Sequence, residues 1–345
     1  MRVALERVEL RLARPIPTAH GELRARELLE LRLTDADGVV GRGEAAPLEP
    51  YDGVSMDDVL GALAAYRPVL EAAGRGTAPG DLLDACRARA ALPQALAAVD
   101  LALWDLAARR EGQPVCRLLC AEPAAGVEVN ATVTAPDRQG AAEEAATAAR
   151  AGFRCVKLKV GIGDDAGRVA AVRAAIGPDV ALRLDANGAW SVEEAVAMIA
   201  ALAPARLELV EEPVHGLEAT RLVRDRVDVP VAIDETAALP GALAAGAADA
   251  VCLKIGRCGG IGGLLAAAAL VRASGAAAYV ASTFDGPLGI AAGLHAAAAL
   301  APLPACGLAT LGLFADLEDP FEVTDGAMTV PRGPGLLGPH RCGDR

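Results

Sequence analysis

Apolar and polar positions alternate in different ways along this chain. Between residues 2 and 45, the runs at 3–12 and 28–33 have strand-like patterns, and Asp37-Gly38 turns the chain back after the second run. Residues 56–120 change to helical periodicity, with a long alanine- and leucine-rich segment over 92–107. The first third is therefore predicted to be an antiparallel sheet with helices.

From about residue 127, short β-branched runs alternate with amphipathic, alanine-rich segments. The runs start about 19 to 27 residues apart, which is typical of repeated βα units and of a parallel sheet with right-handed crossovers. No glycine-rich phosphate loop follows the first run, so a closed barrel is favoured over a doubly wound sheet. The predicted strands are 128–132, 155–160, 181–185, 207–211, 231–234, 250–254 and 277–282.

These patterns predict an α/β protein with a modified (β/α)8 TIM-type barrel and an N-terminal α+β capping domain. The capping domain is expected over residues 1–120 and the barrel over residues 121–317. The final segment, 318–345, is rich in Gly and Pro and is expected to return to the capping domain.

The composition narrows the classes of function. The chain of 345 residues is 53% hydrophobic, which allows a large core, and its net charge of −12 argues against nucleic acid as a partner. The N-terminus lacks a cleavable signal pattern and the apolar runs are too short or interrupted to span a membrane, so a cytoplasmic protein is expected. Eight cysteines without a CxxC pair and only four histidines favour neither a disulfide framework nor a zinc site. A metal would be held by oxygen, and His215 and His295 are expected to be ordinary loop and helix residues.

Lysine is rare and unusually placed. Lys157, Lys159 and Lys254 are the only lysines, against thirty arginines. Biased codon usage would explain the excess of arginine but not the positions of the lysines, which lie in short apolar runs. A partly desolvated lysine can lose its proton whereas arginine stays charged, so these residues are candidates for proton transfer.

Five successive predicted strands end in polar groups that a core would exclude. Carboxyl ends of barrel strands meet at one mouth, so these groups are expected to converge. A single acidic residue there is more often a helix cap, but three carboxylates between lysines predict an oxygen cage for Mg²⁺. The groups are Lys157 with Lys159, Asp185 with Asn187, Glu211 with Glu212, Asp234 with Glu235, and Lys254.

This constellation predicts removal of a proton α to a carboxylate. Such carbon acids are very weak, so a lysine base needs a metal to stabilise the developing enediolate charge. The ammonium of Lys157 would lower the pKa of Lys159 by like-charge repulsion. Glu212 and Glu235 are expected to orient ligands or bind lysine side chains.

The same residues resemble the enolase superfamily, in its muconate lactonizing enzyme subgroup. The similarity covers nearly the whole chain and extends outside the barrel, to residues 43–48 and 102–107. It implies an α+β capping domain over a modified barrel. The matching stretches in the barrel are Lys157-Leu158-Lys159, 182–187, Glu211-Glu212-Pro213, Asp234-Glu235 and Lys254.

The resemblance also implies roles. Lys159 would remove the α-proton, Lys254 would oppose it, and Lys157 would modulate Lys159. In racemising members both opposed lysines exchange protons, whereas in the dehydrating member Lys159 is base and then acid while Lys254 stabilises the enolate as a cation. The ligands of Mg²⁺, or of Mn²⁺ in its place, would be Asp185, Glu211 and Asp234.

Within the subgroup, the sequence looks most like the o-succinylbenzoate synthases of menaquinone biosynthesis, which dehydrate a succinyl-hydroxycyclohexadiene carboxylate. The similarity lies in residues 43–51 and in the Arg183-x-Asp185-x-Asn187-x-x-Trp190 pattern. The loop with Thr18 and His20 would cap the succinyl group, unless it is a mere surface loop. Residues expected to contact or support the substrate are Thr18, His20, Arg183, Asn187, Glu212, Glu235, Ser282, Thr283 and Asp285.

Two stretches keep other activities open. Lys254 is followed by 255–260, which resembles the cycloisomerases and epimerases, and 282–289 lacks a clear synthase signature. N-succinylamino acid racemase, dipeptide epimerase and muconate cycloisomerase are therefore alternatives. A barrel that only binds carboxylates and a Schiff-base aldolase fit the lysine and carboxylate set less well. The expected partner is a small-molecule carboxylate, and the resemblance also allows a homo-oligomer.

Overall fold

The computed structural model describes residues 1–18, 21–74, 76–315, 317–321 and 323–338, with the backbone alone at residues 17 and 18. The strands are β1 (Arg2–Thr18), β2 (Gly21–Thr34), β3 (Val40–Ala45), β4 (Gly126–Glu128), β5 (Ala131–Val133), β6 (Cys155–Lys159), β7 (Ala181–Asp185), β8 (Leu207–Glu211), β9 (Val231–Ile233), β10 (Ala250–Lys254), β11 (Ala277–Ala281), β12 (Val323–Thr324) and β13 (Ala327–Thr329).

The helices surround these strands. They are α1 (Glu49–Asp52), α2 (Met56–Ala72), α3 (Pro79–Arg87), α4 (Pro93–Glu111), α5 (Val115–Leu119), α6 (Arg138–Arg150), α7 (Asp165–Ile176), α8 (Val192–Leu202), α9 (Leu217–Arg224), α10 (Ile261–Ala273) and α11 (Pro287–Leu300). Short 3₁₀ turns lie at Ala203–Ala205, Glu235–Ala238, Ala242–Ala244 and Leu311–Leu313.

The capping domain is an antiparallel sheet, β1-β2-β3, covered by helices. Leu29, Leu31 and Leu33 of β2 are fully buried in a core shared with α2 and α4. Strand β3 lies so close to α4 that a Cβ added at Gly43 would be 2.0 Å from the carbonyl oxygen of Ala98. Only glycine permits this approach. The predicted antiparallel sheet with helices is confirmed.

The barrel sheet contains β5 to β11, parallel and in sequential order. Its two edges are linked through one short segment, because Val129 bridges to Cys306 and Ala281 bridges to Gly307. The sheet therefore curls round on itself, with the helices that connect its strands packed outside. This arrangement and the capping domain confirm the predicted fold class.

The start of the barrel differs from its prediction as a single strand over 128–132. The backbone N–H of Val129 donates to Gly326 O at 2.8 Å, and that of Asn130 donates to Cys306 O at 3.0 Å. These bonds to the C-terminal part of the chain separate β4 from β5. Strand β4 pairs instead with β13, in the order β12-β13-β4.

The C-terminal segment also contacts the capping domain. The backbone N–H of Leu336 donates to Asp105 Oδ1 on α4 at 2.7 Å, and Val115 N–H donates to Gly335 O at 3.3 Å. The domain limits at residues 120 and 317 stay predictions. In the part of the chain that the structure covers, no helix is both long enough and apolar enough to cross a membrane.

Candidate active site

The carboxyl ends of the barrel strands open into a cavity of about 520 Å³, whose other walls come from β1, β2 and the segment 48–51 of the capping domain. Parallel strands in sequential order end at one edge, so residues far apart in sequence meet there. The predicted site residues that line the cavity are Lys157, Lys159, Asp185, Asn187, Glu211, Asp234, Glu235, Lys254, Ser282 and Thr283.

Arg183, Glu212 and Asp285 are buried behind the cavity wall. Arg183 Nε donates to Glu208 Oε2 at 2.7 Å. Glu212 Oε2 accepts the backbone N–H of Asp234 at 2.8 Å and so fixes the loop after β9. These two side chains therefore hold the wall in place instead of facing the cavity.

Asp285 lies at the contact between the capping domain and α11. Its backbone N–H donates to Ser282 Oγ at 3.0 Å, and the next residue, Gly286, donates to Glu44 Oε1 at 2.7 Å. Burial raises the pKa of Glu44 to about 8, and the nearby Asp285 carboxylate adds to the rise. His20 lies outside the described residues, and Thr18 is described by its backbone alone.

Lys157 bridges two of the carboxylates. Its Nζ lies 2.9 Å from Asp185 Oδ2 and 2.8 Å from Glu211 Oε1. Against the effect of burial, these two carboxylates raise the pKa of Lys157. Lys157 is therefore a fixed ammonium between β7 and β8. Glu211 also accepts the hydroxyl of Tyr279 at 2.7 Å on its other oxygen.

Asp234 binds both a lysine and the capping domain. Lys254 Nζ lies 3.0 Å from Asp234 Oδ2, and the Tyr51 hydroxyl donates to Asp234 Oδ1 at 2.7 Å. Against the effect of burial, Asp234 raises the pKa of Lys254 well above its ordinary value. The Lys254 ammonium also lies 5.3 Å from the centre of the Tyr51 ring, within cation–π range. Lys254 is thus held as a cation.

Lys159 has a different environment. It ends β6, across the sheet from β10, which carries Lys254. Within the described ranges, the lysine ion pairs belong to Lys157 and Lys254 and not to Lys159. Burial lowers the pKa of Lys159, and the charges of the two other lysines add to the lowering. Lys159 is the lysine most readily deprotonated.

Glu235 is a partly buried carboxyl group with a raised pKa. Asn187 Nδ2 donates to its Oε1 at 3.0 Å, while its buried Oε2 has no hydrogen-bond partner in the part of the chain described. Burial raises the pKa of Glu235 to about 8, and the carboxylates of Asp234 and Asp185 add to the rise. The site therefore has acceptor oxygen available for a cation.

Two family comparisons match most of the chain. Residues 140–337 match the family described as enolase C-terminal domain-like, and residues 1–120 match the mandelate racemase / muconate lactonizing enzyme N-terminal domain. The chain belongs to the enolase superfamily. The resemblance that the sequence motifs predict is thereby confirmed.

Relatives within this superfamily have different activities. The chain is 33% identical to L-Ala-D/L-Glu epimerase of Bacillus subtilis over 86% of its length and 84% of that protein. It is 33% identical to muconate cycloisomerase 1 of Rhodococcus opacus, over 95% of this chain and 92% of that protein. It is 42% identical to o-succinylbenzoate synthase of Thermobifida fusca, over 60% of this chain and 67% of that protein. The superfamily is therefore fixed, whereas the relatives include both isomerases and a lyase.

Solved structures agree over nearly the whole chain. A substrate-liganded complex of the Bacillus subtilis L-Ala-D/L-Glu epimerase has a TM-score of 0.90, with 30% identity and 98% coverage of both chains. A dipeptide epimerase of Enterococcus faecalis, in complex with Mg and the dipeptide L-Leu-L-Tyr, has a TM-score of 0.87, with 26% identity and coverage of 97% and 98%. Enolase-superfamily relatives of this fold thus bind magnesium.

The residues of this superfamily member fit a hard divalent cation. Burial raises the pKa of Glu211 against the opposite effect of Lys157, and the neighbouring Asp185 and Asp234 carboxylates add to the rise. Oxygen donors of this kind suit Mg²⁺. The Cys252 sulfur also lies within 4.8 Å of ligand atoms of Glu211 and Asp234. Burial raises the pKa of the Cys252 thiol well above its ordinary value, so it stays neutral and is a poor ligand for Mg²⁺.

Several residues at this enolase-superfamily site were not identified from the sequence. Tyr51 lies on the four-residue helix α1, and Arg257 donates to the Tyr51 hydroxyl at 2.6 Å. His215, expected to be an ordinary loop residue, lines the cavity with Nδ1 2.9 Å from Glu212 Oε1. Asn130 also lines the cavity. The alternation of Asn130, Thr132 and Thr134 with apolar residues was the one local signal that could have revealed this part of the wall.

Proposed function

We propose that this chain is a Mg²⁺-dependent enzyme that removes the proton α to a substrate carboxylate, and that its reaction is the dehydration that forms o-succinylbenzoate. The proposal rests on one observation, the unequal environments of the two opposed lysines. Lys159 lies without an ion pair in the described residues, whereas Lys254 is paired with Asp234 at 3.0 Å.

This inequality suits a reaction in which one lysine moves the proton and the other stays charged. The lowered pKa of Lys159 favours the neutral amine that a general base requires. The raised pKa of Lys254 favours an ammonium that stabilises the negative charge left on the substrate. A two-base racemisation requires both lysines to exchange protons, so it fits this arrangement less well.

The side chains would act in sequence on the dehydration substrate. Lys159 takes the proton from the carbon α to the carboxylate, and the electron pair of that C–H bond delocalises into the carboxylate. The Lys159 ammonium then returns this proton to the departing hydroxyl group, so the C–O bond breaks and water leaves. The net change is loss of one water, and Lys159 is restored as the amine.

Asp185, Glu211 and Asp234 are the residues that would hold the Mg²⁺ ion. When bound, the ion supplies positive charge beside the substrate carboxylate, which is needed because the α-proton is weakly acidic. Lys157 keeps Asp185 and Glu211 in place through its two short contacts. Glu212 holds the loop of Asp234 through the backbone N–H of that residue.

The cavity also has room and contact groups for the acyl arm of the substrate. Beyond the lysines and carboxylates, its walls include the apolar side chains of Ile16, Leu23 and Phe284 and the hydroxyl groups of Ser282 and Thr310. The 42% identity to an o-succinylbenzoate synthase favours a succinyl arm.

The deciding experiment follows the ultraviolet absorbance of succinyl-hydroxycyclohexadiene carboxylate with the purified enzyme. We expect loss of the diene absorbance that stops when EDTA removes the metal and resumes when Mg²⁺ is restored. Lys159→Ala is expected to abolish the loss. Wild-type enzyme that is folded and binds Mg²⁺ but leaves the diene unchanged would contradict the proposed lyase.

An isomerase is the second candidate, because Lys254 lies across the cavity from Lys159 and the relatives that match most of the chain are isomerases. N-succinylamino acid racemase, dipeptide epimerase and muconate cycloisomerase are the specific forms. Incorporation of solvent deuterium into both enantiomers of an N-succinylamino acid, at a rate above that of diene loss, would favour the racemase.

A further inference from the structure

The strand order gives the cavity two opposite walls. Asp185, Glu211 and Asp234 lie at the ends of β7 and β8 and just after β9, in the middle of the sheet. The two sheet edges meet on the other side, where Gly307 bridges to Ala281 and Cys306 bridges to Val129. A substrate whose carboxylate lies at the three acidic residues therefore extends its remaining groups toward this second wall.

Asn130 is a buried polar residue of the second wall. It is 2% exposed and lines the cavity, and its backbone N–H is already bonded to Cys306 O. Its side-chain Nδ2 has no hydrogen-bond partner among the residues that the structure describes. A buried amide nitrogen without a partner costs free energy, so the amide orientation that turns the NH₂ group toward the cavity is favoured.

The hydroxyl groups of Ser282 and Thr310 differ from Asn130 because they already have protein partners. Thr310 Oγ1 donates to Ser282 Oγ at 3.0 Å, and Ser282 Oγ also accepts the backbone N–H of Asp285 at 3.0 Å. Lys254 Nζ donates to the carbonyl oxygen of Ser282 at 3.3 Å, which ties this wall to the opposed lysine. The side-chain amide nitrogen of Asn130 thus lacks a partner in the described residues, whereas these two hydroxyl groups have one.

We infer that Asn130 determines specificity by donating from its side-chain amide to the carbonyl oxygen of the substrate's acyl arm. A half-turn of a primary amide exchanges its NH₂ and carbonyl ends, so the donor can face the cavity. The inference rests on the proposed function, because the position of the substrate carboxylate sets which group reaches this wall. The same acyl carbonyl occurs as a ketone in o-succinylbenzoate and as an amide in N-succinylamino acids.

Binding of two ligands that differ at one group tests the inference. The ligands are o-succinylbenzoate and 4-(2-carboxyphenyl)butanoate, in which a methylene replaces the ketone. Titration calorimetry with the Mg²⁺-loaded wild type is expected to show about tenfold tighter binding of the ketone. This ratio of Kd values corresponds to the free energy of one neutral hydrogen bond. Asn130→Leu, of similar size, and Asn130→Ala should each bind the two ligands about equally.

Gln94→Leu is the matched control, because Gln94 is also a buried amide but lies in the capping domain, where its Nε2 donates to Asp52. This variant should keep the tenfold preference. A preference that persists in folded Asn130→Leu and Asn130→Ala overturns the inference. Equal or absent binding of the two ligands by wild type also overturns it.

Kinetics separate this inference from the proposed function. If wild type dehydrates the diene, Asn130→Ala should raise KM about tenfold and lower kcat less, because the contact forms in the ground state as well as in the transition state. A similar change with an N-succinylamino acid would identify the amide carbonyl as a second source of the same contact. Wild type that turns over neither substrate contradicts the proposed function, while the calorimetric preference still decides the role of Asn130.

Discussion

The hydroxyl group of Tyr51, on helix α1 of the capping domain, donates a 2.7 Å hydrogen bond to Oδ1 of Asp234 in the barrel. Arg257 in turn donates to the Tyr51 hydroxyl at 2.6 Å. Tyr51 therefore orients a proposed metal ligand from outside the barrel, and the complete site requires both domains.

Replacement of Tyr51 by Phe should weaken binding of Mg²⁺. The variant removes the donor to Asp234 and keeps the ring, and loss of such a supporting contact typically lowers metal affinity or activity by about ten- to a hundredfold. Titration with Mg²⁺ measures the effect. Tyr66→Phe is the control, because Tyr66 donates to Ala90 O in the capping domain. Equal Mg²⁺ affinity of Tyr51→Phe and Tyr66→Phe would refute the role of Tyr51.

Arginine substitutions should distinguish the two opposed lysines. Arginine keeps a positive charge but does not act as a base near neutral pH. Lys159→Arg should lower the dehydration rate by about a thousandfold or more. Lys254→Arg should retain turnover, at roughly a tenth to a hundredth of the wild-type rate, because a cation remains there. Rates from diene absorbance give the comparison, and Lys159→Arg with as much activity as Lys254→Arg would exclude the assigned roles.

Magnesium should stabilise the fold through the three carboxylates. At a concentration about a hundredfold above its Kd, the ion contributes about 2.7 kcal/mol to the free energy of unfolding. We expect a rise in Tm of about 5 °C, reversed by EDTA, in a thermal melt. Asp185→Asn should lose most of this rise. Asp249→Asn, at the opposite end of the strands, should keep it, since Asp249 bonds to the backbone N–H of Val231.

The contribution of His295 to stability should fall between neutral and mildly acidic pH. Its Nδ1 accepts the backbone N–H of Cys116 at 3.2 Å, and its Nε2 lies 2.9 Å from Leu336 O, so both nitrogens are satisfied in the neutral ring. Burial lowers the pKa of His295 from 6.5 to about 4. In this window the unfolded state binds the proton at His295 and the folded state does not, so the stability that the neutral ring contributes is lost as pH falls.

Between pH 7.5 and pH 5, the contribution of His295 to the free energy of unfolding should fall by about 2 kcal/mol. The difference in urea unfolding between wild type and His295→Gln at the two pH values measures it. This comparison removes the opposite contributions of Glu44 and Glu235, whose raised pKa values add stability as pH falls. His215→Gln provides a control, because His215 has a half-exposed side chain. Equal pH dependence in wild type and His295→Gln would exclude this source of acid sensitivity.

The sequence predicted those strands that have a clear local pattern of apolar residues. The strands 181–185, 207–211 and 250–254 agree residue for residue with β7, β8 and β10. Their polar ends could be placed at one cavity because parallel strands in sequence order share an edge. The meeting of Asp185 with Lys157 follows from the pairing of two adjacent strands, β6 and β7.

Contacts across long stretches of sequence could not be predicted in this way. Tyr51 and Asp234 are 183 residues apart, and nothing in the segment 49–52 indicates which barrel group the tyrosine meets. Arg257 is one of thirty arginines, so its type alone gave no sign of its position. Asn130 lies where β4 and β5 separate, and that separation depends on the partner Cys306, which is far away in the chain.

All three lysines of the chain lie in one cavity, which makes primary amines site-specific chemical reporters of this protein. Reagents that acylate or reductively methylate amines have, apart from the N-terminus, only these side chains to modify. Protection of the lysines by a ligand would therefore measure occupancy of the cavity, once labelling of the N-terminal amine is subtracted. Amine-reactive crosslinkers and lysine-directed immobilisation, by the same reasoning, would attach the protein through its reactive centre.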